Sequence, residues 1–189
     1  MPNMYIIRHC EAQGQAPNAA LTEKGRRQAE ALAHLADMQQ IDSIVTSPYE
    51  RAYRTIQPLA ERLGLKVITD ERLVERVLCG QDAPQWRDML RRTYDDPHLC
   101  YPGGESTSAA AARANQVVSE LLEQGYHEPA IVSHGNLISL LLRSWDATYG
   151  FAEWEAMTNP DIYRVSWNTD IPIYRLFEGC WFDLHISLC

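Results

Sequence analysis

The stretch Met4-Tyr5-Ile6-Ile7-Arg8-His9-Cys10-Glu11 reads as a short strand that stops on an arginine and a histidine. A brief apolar run bounded by polar residues fits a strand covered on both faces. The pattern returns late in the chain as Ala130-Ile131-Val132-Ser133-His134-Gly135. Open α/β sheets bind ligands beyond the carboxyl ends of their strands. Histidines at two such ends, distant in sequence, therefore point to one shared cleft.

Between them stands Thr46-Ser47-Pro48-Tyr49-Glu50-Arg51-Ala52-Tyr53-Arg54-Thr55, which brings Arg51 off a further strand end. His9 and His134 together with Arg8 and Arg51 suit a phosphoryl group. Guanidinium forks are planar, permanently charged and matched to phosphate oxygens. A neutral imidazole is a nucleophile near pH 7 when its other ring nitrogen is tied down. A protonated His134 would add a donor, and a helix starting after Gly135 would add its dipole. Glu75, in Arg72-Leu73-Val74-Glu75-Arg76, is the candidate general acid and base. The plainer reading of Glu75 is a solvated ion pair with Arg72 or Arg76. Glu105, in Pro102-Gly103-Gly104-Glu105-Ser106, competes for the acid role from a helix entrance.

Strand and helix alternate along the chain, which predicts an α/β fold. Strands are expected over 4–8, 43–46, 66–69 and 130–133. Helices are expected over 22–37, with Thr22 as cap, then 47–64, closed by Gly64, then 85–94, 105–124 and 136–145. Residues 161–167 and 171–177, joined by Asn168-Thr169-Asp170, predict an antiparallel hairpin at a sheet edge. Residues 70–105 form a weakly patterned insertion, the kind of segment that builds part of a substrate mouth. No repeat, linker or composition shift divides the chain, so 1–189 is expected to be a single domain. Its tail, 180–189, carries Trp181, Phe182, Leu184, Ile186 and Leu188, which would pack on the domain itself or on a second copy in a homodimer.

The formal net charge of −8 argues against nucleic-acid binding, which needs a basic face. No apolar run reaches the roughly 18 residues of a membrane span, and Arg8-His9 interrupts the only apolar stretch near the start, so no signal peptide is expected. The five cysteines are scattered, with no C-x-x-C pair. That fits a reduced, cytoplasmic setting. His34, His98, His127 and His185 lack partners at ligand spacing. Neither a metal nor another cofactor is expected.

Six pieces in order now carry a resemblance: Arg8-His9-x-Glu11, Leu21-Thr22-x-x-Gly25, Ser47-Pro48-x-x-Arg51-Ala52-x-x-Thr55, Leu73-x-Glu75, Gly104-Glu105-Ser106 and Ser133-His134-Gly135. The chain resembles the histidine phosphatase superfamily, the phosphoglycerate-mutase-like proteins, over residues 5–177. The resemblance implies a three-layer α/β/α sandwich with a mostly parallel sheet and, from the hairpin, an antiparallel edge. It implies a metal-independent phosphomonoester hydrolase in which His9 is transiently phosphorylated. Arg8, Arg51 and His134 would hold the phosphate, and Glu75 would protonate the leaving oxygen. Gln13, Gln15, Ser47, Glu105 and Gly135 would complete the substrate contacts, the substrate being a small phosphorylated metabolite or another phosphoester.

The sequence departs from the family pattern at Cys10, where glycine is usual. A buried cysteine there reads as a small hydrophobe rather than a redox switch. The mutase branch also has a Trp-Asn pair that is missing from Ala12-Gln13-Gly14-Gln15-Ala16-Pro17-Asn18. That favours a phosphatase over the rival reading, a phosphoglycerate mutase. A phosphate-binding scaffold without turnover is the rival from another class.

Overall fold

Alternate residues of the first strand face opposite cores. Met4 and Ile6 pack in one apolar cluster, Tyr5 and Ile7 in another, as the two-residue period of a strand requires. The computed structural model describes residues 3–167 and 172–178. Its strands are β1 (Asn3–Arg8), β2 (Ser43–Thr46), β3 (Val67–Thr69), β4 (Pro129–Ser133), β5 (Asp161–Ser166) and β6 (Ile173–Glu178). Its α-helices are α1 (Glu23–Ala33), α2 (Glu50–Leu63), α3 (Trp86–Asp95), α4 (Thr107–Glu123), α5 (Gly135–Trp145) and α6 (Phe151–Glu155).

The strands form one sheet in the order β3-β2-β4-β1-β5-β6. β1, β2, β3 and β4 pair in parallel, while β5 is antiparallel to both its neighbours. The three layers, the mostly parallel sheet and its antiparallel edge match the expectation. Helices α1 and α2 cover one face through Leu32, Ile56 and Leu59; α4 and α5 cover the other through Val117, Leu121, Ile138 and Leu141. Each such buried aliphatic side chain contributes roughly 1.5–3 kcal/mol. The register puts Arg8 beside Ser133, so the ends of β1 and β4, with their histidines, lie side by side. Ser47 N–H donates to Val132 O at 2.9 Å, which seats the end of β2 against β4.

Local signals explain most boundaries. Thr22 Oγ1 accepts from Gly25 N–H at 2.9 Å and starts α1. Gly64 ends α2 in the left-handed region at φ 68°. Ser106 caps α4 by accepting from Ala109 N–H at 3.2 Å.

Several boundaries differ from expectation. The helix expected over 22–37 stops at Ala33, and a 3-10 turn, Ala36–Gln40, follows. The extended backbone at Leu35 lets Leu35 and Met38 both reach the core, which a continuous helix would not allow. α2 begins at Glu50, because Ser47 and Pro48 serve as a lead-in where Tyr49 N–H donates to Ser47 Oγ. Helix α6 was not anticipated; it buries no residue fully, and Phe151 and Trp154 only lean on the core. The expected turn 168–170 and tail 180–189 lie outside the described residues.

Candidate active site

His9 follows directly from β1 and is 6% exposed. Its Nδ1 lies 2.7 Å from Cys10 O. A carbonyl oxygen can only accept, so Nδ1 carries the proton and Nε2 carries the lone pair. Arg51 Nε donates to that Nε2 at 3.2 Å, which agrees with the same tautomer. Burial, then the positive charges of Arg51 and Arg8, push the His9 pKa down to about 3. The imidazole is thus neutral at physiological pH, with a basic nitrogen facing the arginines.

The turn carrying His9 is pinned from three sides. Cys10 N–H donates to Thr55 Oγ1 at 2.8 Å, and Thr55 Oγ1 donates to Arg51 O at 2.7 Å. Thr22 N–H donates to Glu11 O at 3.0 Å, and Thr22 Oγ1 to Glu11 Oε1 at 2.8 Å. Gly25 is required here because a Cβ would sit 2.0 Å from Glu11 O. Asn159 Nδ2 donates to His9 O at 2.7 Å. Cys10 itself is fully buried with Leu21 and Ala29, and desolvation raises its thiol pKa to about 12. It packs as a small buried hydrophobe in that cluster.

Arg51 is 1% exposed and points inward from α2. Its Nη1 donates to Gln15 O at 3.1 Å and Ala16 O at 2.9 Å, and its Cζ lies 5.0 Å from the Tyr49 ring centroid. Arg8 Nη1 donates to Met157 O at 2.9 Å, while its buried Nε has no partner. Gly135 lies flat against this guanidinium; a Cβ there would come within 2.8 Å of Arg8 Cζ.

His134 is fully buried, and its ring centroid lies 5.2 Å from that of His9. Its Nε2 is 2.8 Å from Ser47 Oγ, and its buried Nδ1 has no partner. Burial, then His9 and Arg51, push its pKa down to about 2. His134 is therefore neutral in this state, not the protonated donor entertained from sequence. An approaching anion would oppose the effect of the neighbouring positive charge.

Glu75 makes none of the ion pairs offered by the plainer reading. Arg72 goes to Asp70 and Glu120, and Arg76 donates to Glu105 O and Thr93 Oγ1. The Glu75 carboxylate lies on the first turn of α5, accepting Leu137 N–H and Arg76 N–H at Oε1, both at 2.9 Å, and Asn136 N–H at Oε2 at 3.1 Å. His134 offers α5 no side-chain cap, so Glu75 serves that end. A carboxylate has roughly four acceptor positions; the fourth, on Oε2, is uncommitted.

The remaining expected contacts sort unevenly. Ser47 and Gly135 touch the cluster directly. Gln15 reaches Arg51 through its carbonyl, and the side chains of Gln13 and Gln15 are exposed. Glu105 is gripped through both oxygens by Arg113, at 2.8 and 2.9 Å. Asn159, Tyr49 and Met157 belong to the site and were missed. The Asn159-Pro160 turn signal was legible, but nothing local says which residue it meets. Among the described residues, no group of three His, Cys, Asp or Glu side chains could hold a metal, and no helix is long and apolar enough to cross a membrane.

Two neutral imidazoles, the buried guanidinium of Arg51, the half-buried one of Arg8 and a carboxylate on a helix terminus thus gather at neighbouring strand ends. The chain belongs to the histidine phosphatase superfamily (branch 1), whose model matches residues 4–177. It is a phosphoric monoester hydrolase of that superfamily, whose chemistry passes through a phosphohistidine. Glucosyl-3-phosphoglycerate phosphatase of Mycobacterium tuberculosis is 33% identical over 193 residues, covering 84% of this chain and 85% of that protein. Probable phosphoglycerate mutase GpmB of Serratia proteamaculans is 31% identical over 173 residues, covering 81% and 79%. The structure of the mycobacterial glucosyl-3-phosphoglycerate phosphatase with inorganic phosphate superposes with a TM-score of 0.74 at 30% identity, covering 95% of this chain and 97% of that one.

Proposed function

We propose that His9 is the nucleophile of a phosphatase acting on small phosphorylated metabolites. One observation carries this reading: Cys10 O claims the Nδ1 proton of His9, leaving the Nε2 lone pair among Arg51, Arg8 and His134. The phosphoryl group sits where Arg8 Nε and His134 Nδ1, both buried and unpartnered, can donate to its oxygens. Nε2 of His9 forms the new N–P bond as the ester P–O bond breaks. Oε2 of Glu75 gives its proton to the leaving alkoxide, then takes one from the water that breaks the N–P bond. The guanidiniums offset charge on the nonbridging oxygens throughout.

In this reading, residues 70–105 with Gln13, Gln15 and Glu105 shape the mouth that meets the rest of the substrate. We place the reaction in the cytoplasm, in line with the free thiols of Cys10, Cys79 and Cys100. A homodimer through the apolar tail is part of the proposal and is checked by light scattering.

The test is a phosphate-release screen over phosphorylated metabolites, joined to acid-labile labelling. Label is expected on His9, lost in His9→Ala, with turnover unchanged by excess EDTA. Chelator-sensitive turnover or label on another residue overturns the mechanism. The similarity to a protein named as a mutase supports a second reading, in which the phosphoryl group returns to substrate. Little free phosphate, with a requirement for a bisphosphate primer, would establish it.

A further inference from the structure

Segment 157–159, between α6 and β5, touches both residues of the Arg8–His9 pair. Met157 O accepts from Arg8 Nη1, and Asn159 Nδ2 donates to His9 O, a contact that spans 150 positions of sequence. A second route closes the same loop. Gln28, fully buried on α1, accepts from Glu11 N–H at 3.0 Å and donates through Nε2 to Asn159 O at 2.9 Å. The His9-Cys10-Glu11 turn is therefore held at both ends by one hydrogen-bonded bridge. Neither Asn159 nor Gln28 is needed for the chemistry proposed above.

We infer that Asn159 is a positioning residue for the nucleophile, fixing the turn so that Cys10 O meets Nδ1 of His9. The inference rests on His9 being the nucleophile. Two features separate it from a mere turn contact. The Asn159 amide nitrogen is 3.4 Å from His9 Nδ1 as well as 2.7 Å from His9 O. Being a donor, it cannot accept the Nδ1 proton, so that proton is left to Cys10 O. An acceptor at the same place would compete for the proton and make the ring more basic. The identity of the group, not only its size, then matters to the reaction.

The experiment uses para-nitrophenyl phosphate turnover, vanadate affinity and single-turnover labelling on the full chain. Asn159→Ser is expected to slow phosphoenzyme formation about 10- to 100-fold, the order expected for an ångström-scale misplacement, with KM and vanadate affinity within about threefold. Asn159→Asp is expected to move the acidic limb of kcat/KM upward by about one pH unit, as for a carboxylate beside an imidazole. A purely structural role would lower Tm and leave kcat of the folded Asn159→Ser variant in place. Unchanged kcat in Asn159→Ser, or loss confined to KM, overturns the inference, as does an unmoved limb in Asn159→Asp. If Asn159→Asp does not fold, the kcat–KM split of Asn159→Ser decides alone. Failure of the wild-type chain to take label would instead overturn the nucleophile assignment itself.

Discussion

Nε of Arg51 donates to Nε2 of His9 across 3.2 Å, so the guanidinium rests on the lone pair that attacks phosphorus in the proposed mechanism. A binding anion gives that N–H a better acceptor, because charge-assisted bonds are roughly twice as strong as neutral ones. In the proposed mechanism substrate therefore frees the nucleophile by drawing the arginine onto itself. The exchange needs a planar fork that keeps Nη1 on Gln15 O and Ala16 O while Nε changes partner. Lysine has the charge but not the fork. Arg51→Lys is expected to lose about 100-fold in kcat/KM and Arg51→Ala about 1,000-fold, the range for removing one oxyanion donor. A lysine variant within threefold of wild type in steady-state assays would refute the fork argument.

Glu75 holds the start of α5 and is also the proposed acid, and the two duties separate in Glu75→Gln. The amide oxygen can still accept from part of the helix terminus, so the expected stability loss is about 0.3–1 kcal/mol, as for other charges near helix ends. Proton donation is gone. Turnover should fall about 100- to 10,000-fold on alkyl phosphates, and far less on aryl phosphates whose leaving groups need no proton. An equal loss on both substrate types would remove Glu75 from the acid role.

Gly135 has no room for a side chain, since a Cβ would meet Arg8 Cζ at 2.8 Å and Nε at 2.9 Å. Gly135→Ala is expected to push Arg8 off its seat, weakening inorganic phosphate binding at least about 10-fold, or about 1.4 kcal/mol. The fold should survive with an overpacking cost of about 1–3 kcal/mol. Calorimetric phosphate titration against a urea melt distinguishes these effects. Unchanged phosphate affinity would show that Arg8 does not hold the anion.

The two buried imidazoles make stability depend on acid. Native His9 and His134 stay neutral down to about pH 3 and about pH 2. In the unfolded chain histidine takes a proton at about pH 6.5. Between those limits the unfolded state binds more protons, so stability falls as pH falls from about 6.5 toward 3. Each histidine contributes up to about 1.4 kcal/mol per pH unit in that window. Urea unfolding of a His9→Asn/His134→Asn double variant should show a shallower acid slope than wild type. Equal slopes would mean that the histidines are already charged in the native chain. Saturating inorganic phosphate at about 100 times its Kd should add about 2.7 kcal/mol to wild type and nothing to the double variant.

The strand ends and their cargo were readable because an apolar run stopped by Arg8-His9 or Ser133-His134 is a local pattern. Each of those stops falls where the chain leaves the sheet. The cap at Thr22 and the αL glycine at Gly64 are also local, and both were legible. The break after Ala33 was not, since only the pull of Leu35 and Met38 into the core interrupts that helix.

What tertiary structure alone decided is partnership. Glu75 meets amides 61 and 62 positions away, and Asn159 meets a carbonyl 150 positions away. No periodicity encodes such pairs. They follow from strand order and register, which set β1 beside β4 and β5 and bring remote hydrogen-bonding groups into reach. The protonation of His134 was decided the same way: its sequence neighbours leave the charge open, and burial beside His9 and Arg51 takes it away.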